Sequence, residues 1–347
     1  MNIYLSIFYR IIPLVMAFIC VIAGFLTLDN SDNPEKFLAG FVLISLAGIC
    51  LALFCTAATI IRQIINRYST FFKIFLPILG YTSASLICIL GVYIIKYTNI
   101  PLHFVSGHII FGVGCITFCV STVALSSVKF SLIPKNSESS NSLVPQNSFT
   151  KSQVNILILI PILASLILWI ISFNLLKNFS IHENFVAGFV VFGLAAICTS
   201  LIGLVASIAR QIRNEYKSGD KKLWIFLVLL MGTINVILGI LILVYNKEVY
   251  AIAPGYVLIG LGMVCYSISS KIILLALVWK KNNPLAGKVT LIPILTALFC
   301  LFLTVFLVIV YYPTQLTYVP ERVLAGLGAI CFSLFSIVSI LESATSK

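Results

Sequence analysis

The chain has 347 residues, of which 61% are hydrophobic and only 9% charged, where a soluble domain carries about 25% charged residues. That balance excludes a water-soluble enzyme of ordinary type. The formal charge of +12, from 22 Lys and Arg against 10 Asp and Glu, would suggest a nucleic-acid partner in a soluble protein; in a polytopic membrane protein the positive-inside bias accounts for it, so no nucleic acid is expected.

Apolar stretches run at about residues 11–28, 37–61, 72–95, 104–130, 154–176, 185–209, 223–245, 252–279, 289–311 and 319–341. Each is close to the ~20 residues that cross a bilayer, which predicts an all-α polytopic protein with ten transmembrane helices and the lipid bilayer as its constant partner. The stretches are solidly apolar rather than alternating, which argues against a β-barrel. The first follows Arg10 and lacks a small-residue cleavage site, so it reads as a retained span. Between the fourth and fifth lies SLIPKNSESSNSLVPQNSFTKSQ (131–153), whose Ser and Asn content reads as a flexible cytoplasmic linker. The expected organisation is therefore two hairpins over 1–133, a linker over 134–151 and three hairpins over 152–347.

The N-terminus, the loops after spans 2, 4, 6 and 8 and the C-terminus together hold 17 of the 22 basic residues. Only Lys36, Lys96, Lys177, Lys247 and Arg322 fall on the opposite side, so both termini are expected in the cytoplasm. His103, His108 and His182 all lie on the outer side in this arrangement.

Internal repetition is the most informative feature. Residues 37–68 align without gaps on 185–216, with 17 of 32 positions identical. Weaker copies begin at Phe104, Ile252 and Tyr318, and the fourth motif position falls at Gly40, Gly107, Gly188, Gly255 and Glu321. Their spacings of 67, 81, 67 and 66 define a unit of about 67 residues, and the one long interval contains the Ser/Asn-rich stretch. A unit holds two spans, so five helical hairpins enter the membrane in the same direction, as parallel repeats.

Within each motif helix, positions 9, 12, 16 and 19 are mostly small and occupy one arc of the helix. Among them are Ser45, Gly112, Thr122, Gly193, Ser200, Gly260, Ser267, Ser270, Gly326, Ser333 and Ser336. Two readings stand side by side: close helix packing, for which small residues suffice, or five weakly polar faces lining a narrow path.

The FLAGFVLISLAGICLALFCTAATIIRQ and GFVVFGLAAICTSLIGLVASIARQIRN segments, with APGYVLIGLGMVCYSISSK and RVLAGLGAICFSLFSIVSILE, resemble the YhiM-type family of bacterial inner-membrane proteins over nearly the whole chain. The resemblance implies residence in the bacterial inner membrane, as a multi-pass protein, and an association with tolerance of acid and related stresses. It implies no substrate and no catalytic residues.

Charged and titratable residues near span ends are the remaining candidates. The position after the motif Gly holds Phe41, His108, Phe189, Tyr256 and Arg322. His108 changes charge near pH 6.5, and His103, His182, Glu183 and Glu321 lie on the same side, so a pH-sensitive outer mouth is one reading; interfacial anchoring is the other. Lys271 either snorkels to the inner interface or is a buried charge beside Ser267 and Ser270. All ten cysteines lie within predicted spans, without the spacing of a metal site, and read as small buried hydrophobes. No catalytic motif and no acidic pair within the bilayer is present, so no enzyme, cofactor or metal is expected. Two functions follow: a passive channel or facilitator carrying a small solute along the small-residue faces, or a non-transporting membrane protein that binds lipid, a hydrophobic ligand or a partner protein.

Overall fold

The computed structural model describes residues 3–28, 34–64, 69–97, 100–129, 149–213, 215, 217–246, 248–277, 286–311 and 317–345. Of the linker expected over 134–151, all but the last three residues lie outside them, as does Lys247. Among the described residues, ten helices are long and apolar enough to cross a membrane: α1 (Ile3–Leu28), α2 (Pro34–Ile64), α3 (Thr70–Tyr97), α4 (Pro101–Ser127), α5 (Lys151–Leu176), α6 (His182–Ile212), α7 (Ser218–Tyr245), α8 (Ile252–Leu277), α10 (Leu291–Tyr311) and α11 (Tyr318–Thr345). The single turn α9 (Ala286–Val289) precedes α10, and a 3-10 turn at Val249–Ala251 leads into α8. The described residues include no strand, as a spanning chain without a closed barrel requires.

Local chemistry sets the helix starts. Pro101 opens α4, where its missing N–H costs no intrahelical bond. Thr150 caps α5 in a reciprocal box with Gln153, each side chain bonding the other's backbone N–H at 3.2 and 3.0 Å. Along the spans, buried hydroxyls return to carbonyls of their own helix, as Thr56 does to Ala52 at 3.0 Å and Thr117 to Val113 at 2.8 Å. A hydroxyl satisfied in this way needs no water beside it.

Five hairpins form from consecutive helices: α1 with α2, α3 with α4, α5 with α6, α7 with α8, and α10 with α11. The second helix of each also packs on the second helix of the next, in the order α2, α4, α6, α8, α11, and α11 closes on α2. The result is an inner ring of five helices. Each first helix sits outside, in the groove between its own partner and the preceding ring helix. Burial separates the two layers: 72–83% of the apolar window of each ring helix is buried, against 22–33% for each outer helix. The outer layer leaves Phe, Leu, Ile and Val side chains exposed, the surface a bilayer requires.

Each hairpin closes at the fourth motif position, which is a glycine in four of the five. A Cβ on Gly24 would lie 2.9 Å from the Gly40 oxygen, one on Gly91 2.9 Å from that of Gly107, and one on Gly239 2.6 Å from that of Gly255. Backbone meets backbone at these points, which only glycine allows. In the third hairpin Ser172 takes the outer position and donates to the Gly188 oxygen at 2.9 Å. In the fifth, Thr304 donates to the oxygen of Glu321 at 3.4 Å.

Candidate functional site

The five ring helices enclose a cavity of about 30 Å³ on their common axis. Its walls come in layers. Leu46, Leu194, Leu261 and Leu327 form the first, then Ile49, Ile116, Ile197, Val264 and Ile330, then Leu53, Val120, Leu201, Ile268 and Leu334. Val123, Leu204 and Lys271 follow. Steps of three and four residues separate the layers on each helix, the spacing by which helices present one seam to a shared axis. The three layers are purely aliphatic, and a void of this size holds two or three waters at about 10–15 Å³ each.

The small-residue face lies elsewhere. The axial positions are one residue further along each helix, about 100° round it, from motif position 9. The glycines at that position are sockets for leucines of the next ring helix: a Cβ on Gly112 would lie 2.6 Å from Leu194, on Gly193 2.5 Å from Leu261, on Gly260 2.6 Å from Leu324, and on Gly326 2.5 Å from Leu46. The hydroxyls follow suit. Ser45 bonds the Phe41 oxygen at 2.7 Å, Ser270 that of Ser267 at 2.6 Å and Ser336 that of Ser333 at 2.7 Å. Ser200 and Ser333 bond their own helices and also reach across the ring to Cys265 at 3.6 Å and Cys50 at 3.8 Å. Thr122 turns outward, with Tyr81 of α3 at 2.9 Å. The hydroxyl of Ser267 is buried without a partner among the described residues. The axis thus falls to aliphatic side chains rather than to the small-residue face expected to line a path.

Lys271 is the exception on the axis. It is 1% exposed and makes no hydrogen bond or ion pair among the described residues. It does not reach the interface.

At the opposite end of the ring helices the candidate residues bond close to home. The Nδ1 of His108 lies 2.8 Å from the oxygen of Phe104, whose ring it also meets. Arg322 places its guanidinium 3.3 Å above the Tyr318 ring, donates to the Tyr318 oxygen at 3.1 Å and lies 3.6 Å from the Glu321 carboxylate, which accepts from Thr317. No contact among the described residues joins His108 to Arg322. Two other histidines do bridge neighbouring ring helices: His103 of α4 stacks on Phe37 of α2 at 3.9 Å, and His182 of α6 meets Tyr250, ahead of α8, at 4.2 Å. Glu183 lies half-buried beside His182.

The basic end closes differently. Arg210 pairs with Asp220 at 2.7 Å, Gln63 donates to the Val128 oxygen, and Arg213 reaches the Phe149 oxygen at 2.5 Å while gripping Glu215 with two bonds. That grip holds the Glu215 carboxyl below its usual range and raises the Arg213 guanidinium. Lys129 lies 4.7 Å from the Phe149 ring, so two cations contact the residue just ahead of the Thr150 cap of α5.

The axial layers were readable in principle from β-branched and Leu residues at heptad steps, a pattern hidden by helices that are apolar all round. The buried amide of Gln211, whose two polar atoms lack partners, carries no comparable signal. No group of three or more His, Cys, Asp and Glu that could hold a metal occurs among the described residues.

Comparison with known proteins matches residues 1–346 to the family described as Protein of unknown function (DUF2776). The chain is 46% identical to Inner membrane protein YhiM of Escherichia coli (strain K12), with the whole of both chains covered. No solved structure matches the chain.

Proposed function

This chain belongs to the DUF2776 family, and from that premise we propose that it is a passive facilitator of the bacterial inner membrane, with its pathway along the axis of the five-helix ring and shut in the conformation described here. The observation that carries the reading is an ionisable side chain on the axis of a closed ring of spanning helices. Intramembrane charges are expensive and mark pathways far more often than they serve packing. Three aliphatic layers then act as the barrier, in the way that hydrophobic constrictions gate by dewetting. The basic end faces the cytoplasm in this reading, since Lys and Arg collect there.

External acid is the trigger the rim offers. His103 and His182 each bridge two neighbouring ring segments through aromatic contacts. A positive charge on the ring changes such contacts, whereas His108 bonds its own helix. Acid sensing at this rim agrees with the stress association that accompanies the YhiM-type resemblance.

The test is release of small solutes from proteoliposomes carrying the purified chain, at external pH of about 5 and about 7.5. Faster release at the lower pH than from empty vesicles supports the facilitator. Release equal to that of empty vesicles at both values supports the second reading, a non-transporting membrane protein, which the wholly aliphatic layers of the axis favour.

A further inference from the structure

We propose that Lys271 forms a binding site for a small monovalent anion of halide size at the centre of the ring. The inference rests on the axial pathway for the anion's route and deepens that reading by naming what it carries.

Packing does not call for a lysine at this position. The residues at the same place in the other four ring helices are Thr56, Val123, Leu204 and Ile337, all buried. Four ordinary core side chains therefore satisfy the geometry that Lys271 occupies. Nor do the described residues supply a counter-charge. The preceding axial layer, Leu53, Val120, Leu201, Ile268 and Leu334, is aliphatic. The hydroxyl of Thr56 is committed to the Ala52 oxygen. Carboxylates towards the basic end are held elsewhere: Asp220 by Arg210, Glu215 by Arg213 and Glu342 by Thr290.

An ammonium enclosed by hydrocarbon is costly unless paired. With no partner among the described residues, the pairing charge comes from a mobile ion. One lysine among five helices sets that charge at one. The cavity of about 30 Å³ sets its size, excluding phosphate, sulfate and organic acids while admitting chloride or bromide. A halide is spherical and makes no demand for directional donors beyond the amine.

The test uses the purified full chain in detergent. Thermal unfolding is followed in sodium chloride, sodium bromide and sodium gluconate at equal ionic strength and pH, gluconate being too large for the cavity. Halide is expected to raise Tm by about 2–4 °C over gluconate in the parent and to leave Lys271→Met unshifted. Equal Tm in all three salts overturns the site, as would happen if the amine were unprotonated and needed no anion. So does a halide shift that persists in Lys271→Met.

Should that variant not fold, anomalous scattering from bromide-soaked crystals of the parent decides alone: a peak within about 3–4 Å of Lys271 Nζ supports the site and its absence overturns it. Halide flux into proteoliposomes separates the two levels of the claim. Halide-dependent Tm without flux keeps the site and overturns the facilitator. Flux that is undiminished by Lys271→Met overturns the site and leaves the pathway standing.

Discussion

The rim and the axis belong to the same five helices, yet they treat polar groups in opposite ways. At the rim, His108 bonds the Phe104 oxygen, Arg322 lies over Tyr318, and Glu321 accepts from Thr317. Every one of these partners lies four residues away on the same stretch of chain. On the axis, Lys271 has no such partner among the described residues. A residue satisfied by its own helix explains itself through helix chemistry, so its presence says little about function. A charge left unsatisfied where four sister positions are uncharged requires an external reason, and that contrast directs attention from His108 and Arg322 towards Lys271.

The comparison can be tested most severely at the rim end of the hairpins. There the helices touch through backbone, and Gly239→Leu drives a side chain into the oxygen of Gly255, which a Cβ would already meet at 2.6 Å. The expected loss is about 3 kcal/mol or more, read as a fall in monodisperse protein after extraction. On the axis the expected sign reverses. Lys271→Met removes a buried charge at nearly constant volume and should stabilise the chain in halide-free buffer by about 1–3 kcal/mol, measured by thermal or denaturant unfolding; a destabilised variant would mean that the lysine has a partner after all.

Smaller effects come from the exposed basic end. Glu215→Gln should cost less than about 1 kcal/mol, because solvent screens the pair. Its carboxyl is held below the usual range by Arg213, so the contribution is present above the unfolded value and is lost as pH falls through the folded one. The difference in Tm between parent and variant should therefore close on acidification below about pH 4. Least of all is expected from His108→Gln, within about 0.5 kcal/mol. The same substitution should leave the acid response of solute release unchanged, while His103→Gln, which removes the stack on Phe37, should blunt it.

Ten helices and their membrane character were legible because both rest on a local signal, the apolar length of each stretch. Even the special standing of Lys271 was visible as a charge deep in an apolar stretch. Its environment was not. A lysine six residues from a helix end can snorkel or be enclosed, and the choice depends on whether its face turns to lipid or to four other helices.

The same limit governed the small-residue face. Position 9 is small in every ring helix, a fact of sequence that fits a path or a socket equally well. Gly193 and Gly326 became sockets because Leu261 and Leu46 arrive from neighbouring helices to fill them, and the axis passed to the residue after each. Composition and period by themselves determined how many helices form and which side of each is slender. Only tertiary packing decided what those sides meet, because a rotation of about 100° on a helix that is apolar all round leaves no trace in its own sequence.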